Sequence, residues 1–538
     1  MINKGLKYLV FILLTSIFVT LQGCKSEEEL SVEQKVWLSE KLAAKIAANN
    51  FLPTLQNYPS QDSVFSFYKK NEFEPIWIND TTVNENGAAM INYLENAYDF
   101  GLLPNFYPIR EIKNAMSDSL LDAEVLLTNS FFMFVRHLET GVVDKMEDTV
   151  LFNNYKSNFN FEAAALLKKL KEGEPLAKLI ENVQPTGWEY TQLQKGLENY
   201  LDKAILDTVK IDKIPPYKED STKCYQAAKK ALLQHHFITE LEGNTDSLFL
   251  EKIKEFQLLN GLKPDAVVGR WTGKMLEKTN LDRFYKGMLS LEKWRWKSKD
   301  TIPANYIWVN LPSYTLKMVE NHKIVSEHRV VIGSGVTQTP EFHAKMKRMV
   351  TNPFWYVPYS IASTEILAGI KKDTTYLNRR GYKIFREGAE VNAQNVDWSV
   401  VNNTNFRYHV RQDGGRGNSL GKIKFLFPNE HAVYIHDTPS KSLFWNDLRA
   451  YSHGCVRLHQ PYVLAAKILD MDKSSVKSDS IESMILRGVK KVIELNTPID
   501  VYLEYYTAVG DSLGKITFYP DIYGRDEKFI TIFKQNSN

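Results

Sequence analysis

The sequence predicts an α+β multidomain protein: a helical N-terminal scaffold, a small helical module, and a β-rich C-terminal domain with a helical, charged insertion. Three observations predict it. At 538 residues the chain is too long for one hydrophobic core, because cores stop growing at about 250–300 residues. From about Val32 to Asp212 the apolar spacing is mostly helical. From Tyr306 the period changes from helical to alternating, the mark of half-buried strands.

The scaffold is expected over 32–212. Gln34 to Asn49 carries Val36, Leu38, Leu42 and Ile46 at near-helical spacing, and Ala123 to His137 runs without Gly or Pro. Leu103-Pro104-Asn105 and Gln184-Pro185-Thr186-Gly187 mark turns between helices. No motif in this region carries chemistry. A second helical unit is expected over 225–280. In it Phe256 and Leu259 share a helix face, Asn260-Gly261 ends that helix in a left-handed turn, Gly269 permits a tight turn, and Trp271-Thr272 starts the next helix. Cys224, at its edge, reads as a small inert hydrophobe.

The β-rich domain is expected over 291–506. Tyr306 to Leu311, Tyr314 to Val319 and Ile324 to Ile332 read as strands, with Glu320-Asn321-His322-Lys323 as a turn. Further strands are expected at Arg407 to Arg411, Val433 to His436 and Asp500 to Tyr505. Tyr359 to Asn403 interrupts them with a helical stretch rich in Lys371, Lys372, Arg379, Arg380, Lys383 and Arg386. An insertion of this size is a lid or an interaction loop, and its charges either form a solvated face or grip an anionic substrate. Residues 507–538 read as a tail.

Hydrophobic content of 43% and charged content of 24% are those of a globular protein, and a net charge of +3 offers no concentrated basic face for nucleic acid. Lys4 and Lys7 precede an apolar run from Leu9 to Leu21, too short to span a bilayer comfortably. Leu21-Gln22-Gly23-Cys24 follows and resembles a bacterial lipobox, which implies a signal peptide over 1–23, acylation of Cys24 and a tether over 24–31 that carries Glu27, Glu28 and Glu29. Two or three acyl chains would hold the chain on a membrane, expected to be the outer membrane on its periplasmic face. Three cysteines cannot build a disulfide framework.

Chemistry concentrates in Tyr434-Ile435-His436-Asp437-Thr438-Pro439 and Tyr451-Ser452-His453-Gly454-Cys455-Val456-Arg457-Leu458. A thiol is a useful nucleophile near neutral pH when a histidine within hydrogen-bond reach converts it to thiolate. Asp437 to Ala450 is long enough to loop His436 back onto Cys455. Gly454 leaves room for a scissile carbonyl, and the N–H groups of Gly454 and Cys455 are candidate oxyanion donors. Tyr434 shares a strand face with His436 and is a further donor, while Arg457 is placed to pair with a substrate carboxylate. A metal site of His436, His453, Cys455 and His459 lacks familiar ligand spacing. A papain-like protease has its cysteine before its histidine, the reverse of the order here.

Ser452-His453-Gly454-Cys455 with His436 upstream resembles the signature of the L,D-transpeptidase (YkuD-type) catalytic domain. Leu291-Glu292-Lys293-Trp294-Arg295-Trp296, Val309-Asn310-Leu311-Pro312, Asn352-Pro353-Phe354-Trp355-Tyr356-Val357-Pro358 and Arg411-Gln412-Asp413-Gly414-Gly415-Arg416-Gly417 resemble its large, capped YcbB-like branch. Gly414 and Arg416 stand where that branch often has prolines. Tyr68 to Trp77 and Asp99 to Pro104 resemble the branch's helical scaffold, and Ile253 to Leu262 with Asp265, Gly269 and Thr272 resembles a three-helix peptidoglycan-binding-like module.

The resemblance implies a transferase without cofactor or metal. Cys455 would be the nucleophile and His436 the base, with Ser452, His453, Gly454 and Tyr434 supporting the site and Arg457 and Arg411 binding substrate. The expected substrates are peptidoglycan tetrapeptide stems, joined 3→3 through a thioester, and carbapenems would acylate Cys455. The same acyl-enzyme would serve an L,D-carboxypeptidase or an enzyme attaching proteins to peptidoglycan. A lipid-anchored adaptor with an idle catalytic domain is the competing class.

Overall fold

The structure, a computed structural model, describes residues 32–48, 61–143, 163–206, 209–239, 246–297, 302–373, 375–415 and 417–535. The expected leader over 1–23, the tether over 24–31 with its lipidation site Cys24, and the loop residue Arg416 lie outside the described residues. None of the described helices is long and apolar enough to cross a membrane. The chain divides into two compact units, Met1–Ile302 with Thr507–Asn538, and Pro303–Tyr506.

The first unit is helical. Its first described helix, Val32–Ala48, buries Leu38 and Leu42 but leaves Val36 half exposed. Val36 lies two residues from Leu38, about 200° around the helix, and so on the other face. The helix Leu120–Thr140 supplies much of the core. It also buries a charge. Glu124 accepts hydrogen bonds from the Ile76 N–H at 2.7 Å, the Trp77 N–H at 2.8 Å and the Tyr68 hydroxyl at 2.6 Å. Burial pushes its pKa up to about 7. Thr128, one turn on, takes the Trp77 indole N–H at 2.8 Å. The stretch from Tyr68 to Trp77 is thus tied to one helix by a polar knot inside an apolar core. Glu124→Ala would leave the buried N–H groups of Ile76 and Trp77 without this acceptor, so chemical denaturation should show a loss of about 3–5 kcal/mol.

Helices Ser221–Gln234, Asp246–Leu259 and Arg270–Leu276 enclose a small core that includes Cys224, Ile253, Phe256 and Leu276. Gly261 has φ +61°, the left-handed turn after the second helix. Gly269 has φ −76° and ψ −177°, extended backbone open to any residue, so the tight turn expected there does not depend on glycine.

Two expected boundaries move. Leu291 to Trp296 belongs to the helical unit, at the end of the helix Asn280–Arg295. There buried Glu292 accepts the N–H groups of Val142 at 2.5 Å and Val143 at 2.7 Å, and Arg295 donates to the Tyr190 hydroxyl at 3.0 Å. Residues after 506 are not a tail: Ala508–Gly510 pairs antiparallel with Ile516–Phe518, and a helix follows over Glu527–Gln535. Ala508 N–H donates to Ser290 Oγ at 3.1 Å, and Thr507 Oγ1 to buried Asp526, so this segment completes the helical unit.

The second unit is built on one sheet. Its strands are β1 (Tyr306–Asn310), β2 (Thr315–Glu320), β3 (Lys323–Gly333), β4 (Phe342–Thr351), β5 (Trp355–Tyr356), β6 (Tyr382–Arg386), β7 (Ala389–Val391), β8 (His409–Gln412), β9 (Ile423–Leu426), β10 (Ile435–His436), β11 (Ala450–Ser452), β12 (Val456–Leu458) and β13 (Lys491–Glu504). Nine form a sheet in the order β11-β3-β12-β10-β9-β4-β13-β1-β2, and pairing of β2 with β3 returns it on itself. The long β3 makes this possible: Lys323 to Arg329 pairs with β2, and Val330 and Val331 with β12. Asn321 and His322, both at positive φ, form the tight turn between β2 and β3.

The insertion is only partly helical. Tyr359–Ile361 continues through a π-helical turn, Ala362–Ile366, into helices Leu367–Lys372 and Tyr376–Arg380. The hairpin of β6 and β7 then joins β5 and β8 in a second sheet, order β5-β8-β6-β7. Lys383 and Arg386 hide that strand in the sequence, although the side chain between them, Ile384, is buried in the insertion's own core with Ile370, Trp398 and Val410.

Candidate active site

The site forms at the middle of the nine-stranded sheet. The strand β10 lies antiparallel to β9 and parallel to β12, which puts His436 in register with Lys424 on one side and Arg457 on the other. Val456 N–H donates to the Tyr434 carbonyl at 3.1 Å. Cys455, the residue before β12, therefore lies beside Tyr434, the residue before β10. Both ends open into a cleft of about 720 Å³ lined by Cys455, His436, Tyr434, His453, Arg457 and Ser452 among others.

The His436 ring is buried, with Nδ1 against the Asp437 carbonyl oxygen at 2.5 Å and the Leu420 carbonyl as a further partner. A carbonyl only accepts, so Nδ1 carries the proton and Nε2 is left as the basic nitrogen. Burial first, then the positive charge of Arg457, and more weakly that of Lys424, push the imidazole down to a pKa of about 3. The Asp437 carboxylate holds the neighbouring loop, accepting Lys422 N–H at 2.9 Å and pairing with Lys441.

The Cys455 side chain is half-buried, and burial raises its thiol above the ordinary range. Hydrogen bonds from the backbone and the hydroxyl of Tyr434, and the charges of Arg457 and Lys424, act the other way. Tyr434 is correspondingly harder to ionise, through burial and then the neighbouring sulfur. At rest the cleft thus holds a neutral thiol and a neutral imidazole. The iodoacetamide alkylation rate of Cys455, read by peptide mass spectrometry, should keep climbing with pH above the normal thiol range. Tyr434→Phe should move that rise higher still, because it removes a hydrogen bond that favours the thiolate.

The loop before Cys455 is held by hydroxyls. Ser452 Oγ donates to the Cys455 carbonyl at 2.5 Å and accepts the Gly454 N–H at 3.2 Å. Thr337 Oγ1 donates to the Ser452 carbonyl at 2.9 Å, and buried Thr339 to the Gly454 carbonyl at 2.8 Å. Gly454 has φ +109°, a conformation that side chains rarely adopt. Its N–H was expected to face an oxyanion, but Ser452 occupies it. Among the described residues, the Cys455 N–H has no such partner and remains as the donor, with the Tyr434 hydroxyl beside it.

Two expected residues are engaged by other side chains. His453 lines the cleft, with its Nε2 against the Glu365 carboxylate on the π-helical turn of the insertion. Arg411 does not line the cleft. Its Nε donates to Asp413 at 2.9 Å, and its guanidinium packs over the Phe354 and Phe385 rings at 4.9 and 4.7 Å. In the same loop Gly414 meets the Asn352 carbonyl so closely that a Cβ would come within 2.4 Å of the oxygen. Lys424, Thr337, Thr339 and Glu365 were not picked out from the sequence. Only Lys424 left a trace, as the one polar residue in the apolar stretch Ile423-Lys424-Phe425-Leu426.

Comparison with known families places a class on this geometry. Residues 304–476 match the family model of the L,D-transpeptidase catalytic domain (YkuD), and residues 62–197 match that of a scaffold domain. Residues 304–476 are thus similar to that catalytic domain, and residues 62–197 to that scaffold domain. A Haemophilus influenzae protein named "Putative L,D-transpeptidase" is 34% identical over 226 residues, which are 42% of this chain and 45% of the relative. The chain therefore spans less than half the length of that relative. Among solved structures, the Ldtfm–avibactam carbamoyl enzyme (13% identity, TM-score 0.19) aligns over 38% of this chain and 49% of its own. An L,D-transpeptidase from Mycobacterium smegmatis (13%, 0.19) aligns over 37% and 58%.

Proposed function

We propose that the chain is an L,D-transpeptidase that acts on peptidoglycan tetrapeptide stems through a thioester on Cys455 and forms 3→3 cross-links. The observation that carries this reading is the parallel pairing of β10 with β12, which brings Cys455, Tyr434 and His436 to one cleft. In the first step the thiol sulfur attacks the carbonyl between the third, diamino-acid residue and the fourth, D-residue. His436 Nε2 takes the thiol proton. A pKa near 3 belongs to the ring beside a neutral thiol, and the developing negative charge raises its basicity as the proton moves. The Cys455 N–H and the Tyr434 hydroxyl are placed to hold the oxyanion. His436 returns the proton to the departing D-alanine amine. In the second step an amine of another stem attacks the thioester and frees the thiol.

Arg457, half-buried and in register with His436, is the cation suited to the donor's terminal carboxylate. Arg411, engaged by Asp413, is not given that role. The basic face of the insertion suits a carboxylate-rich stem, and acylation of Cys24 would keep the enzyme at the cell envelope. Carbapenems would acylate the same sulfur.

The test is incubation with purified disaccharide-tetrapeptide and mass spectrometry of the products. A dimer lighter by one alanine is expected. Tripeptide alone would make the chain an L,D-carboxypeptidase. A protein-linked product would make it an attachment enzyme. No turnover, with no meropenem adduct on Cys455, would leave a peptidoglycan adaptor.

A further inference from the structure

The cleft around Cys455 carries one fixed charge of each sign among its described lining residues. Arg457 lines it, with His431, His436 and His453, and among the described lining residues Glu365 is the sole carboxylate. Glu365 comes from the insertion, on the π-helical turn Ala362–Ile366. Such turns, with one residue more than an α-turn, are frequent at functional sites. Its carboxylate meets His453 Nε2, and the two side chains are 58% and 42% exposed. His453 stands two residues before Cys455, so their Cα atoms are no more than about 7 Å apart.

An acyl-enzyme of this kind needs an amine as its second substrate. At neutral pH that amine arrives as an ammonium and must lose a proton before its nitrogen can attack. His436, buried and flanked in the sheet by two cations, Lys424 and Arg457, is a poor partner for the arriving ammonium itself. The Glu365–His453 pair is exposed, supplies the one carboxylate among the described lining residues and opens on the same cleft.

We infer that Glu365 and His453 form the acceptor side of the site, where Glu365 binds the incoming ammonium and the pair takes up the proton it loses. The inference rests on the acyl-transfer reading above. The ammonium gives one proton to the pair, and its nitrogen forms the new C–N bond at the thioester carbonyl. The C–S bond breaks, and the second proton from nitrogen returns the sulfur to the thiol. His436 serves the donor half of the reaction and His453 the acceptor half.

The full chain in detergent, with Glu365→Gln and Glu365→Asp, separates the two halves. Glu365 is a surface side chain, so neither change threatens folding. Three quantities are read: the rate of the meropenem adduct on Cys455, the ratio of cross-linked dimer to hydrolysed tripeptide from disaccharide-tetrapeptide, and capture of the acyl-enzyme by hydroxylamine, largely uncharged at neutral pH. Glu365→Gln should lower the dimer-to-tripeptide ratio by about tenfold or more, the scale of one lost hydrogen bond to a charged group. Adduct formation and hydroxylamine capture should not change, and Glu365→Asp should recover part of the ratio. An unchanged ratio overturns the inference, as does a fall in adduct formation as large as the fall in dimer. A wild-type chain that forms the adduct but yields only tripeptide has no amine acceptor, and the inference fails by itself. A wild-type chain that forms no adduct and no product removes the acyl-enzyme too, and both readings fall.

Discussion

Cys455→Ala should abolish turnover of disaccharide-tetrapeptide, with a fall on the order of a million-fold, the scale for removing a covalent nucleophile. The fold should survive. The loop that presents the thiol is pinned by Ser452, Thr337 and Thr339 through backbone carbonyls, and none of those bonds uses the sulfur. What the variant gives up is the sulfur's own neighbourhood, a weak contact to the Ala432 carbonyl at 3.9 Å and the bonds from Tyr434. Thermal unfolding should therefore match the wild type while the meropenem adduct disappears from the intact mass. The other described cysteine, Cys224, is buried in the helical unit and cannot substitute for it. Turnover that persists in Cys455→Ala would place the nucleophile elsewhere.

His436→Gln should slow acylation by about 10²–10⁴-fold, the range for loss of a positioned general base. Glutamine still fills the space and can still donate to the Asp437 carbonyl, but it has no basic nitrogen. Iodoacetamide should still label Cys455, which separates loss of the base from loss of the thiol. The same substitution carries a stability signature. In the folded chain His436 has a pKa of about 3, against 6.5 for an ordinary imidazole. On acidification the unfolded chain takes up the proton first, so this group's contribution is lost progressively as pH falls from about 6.5 toward 3. The pH dependence of thermal unfolding should be shallower in that window for His436→Gln. An acid limb identical in both proteins would mean that His436 is not held neutral by burial.

The candidate nucleophile and base were legible in the sequence because the motifs that hold them are local. Ser452 to Arg457 lie together in the chain, and the strand holding Tyr434 and His436 shows its alternation. The hydroxyls of Thr337 and Thr339 were not legible, since each reaches carbonyls 115 residues away across strand pairings that no spacing reveals. Glu365 looked like one charge among many in the insertion. Glu124 was passed over because a carboxylate in a helix reads as solvent-facing until Ile76 and Trp77 are seen to donate to it. The Gly454 N–H was misassigned for a related reason: the sequence shows a flexible backbone but not which side chain fills its donor. The alternation that defined β1 to β3 failed for β6 and β7, where basic side chains obscured the pattern. The domain edge was misplaced because Leu291 to Trp296, quoted for its likeness to the catalytic branch, is spent on the helical core through Glu292 and Arg295.

The path of the chain has a consequence for how the molecule is made. The helical unit leaves off at Ile302 and resumes at Thr507, with the sheet unit nested between. A ribosome therefore releases every residue of the sheet unit before the helical unit receives Ala508 for Ser290 and Asp526 for Thr507. A chain ended after Tyr506 and released from the ribosome should already hold a protease-resistant sheet unit, whereas the helical unit becomes resistant only when the segment after Tyr506 is present. Along the chain the sheet unit is complete before the helical unit can close its core.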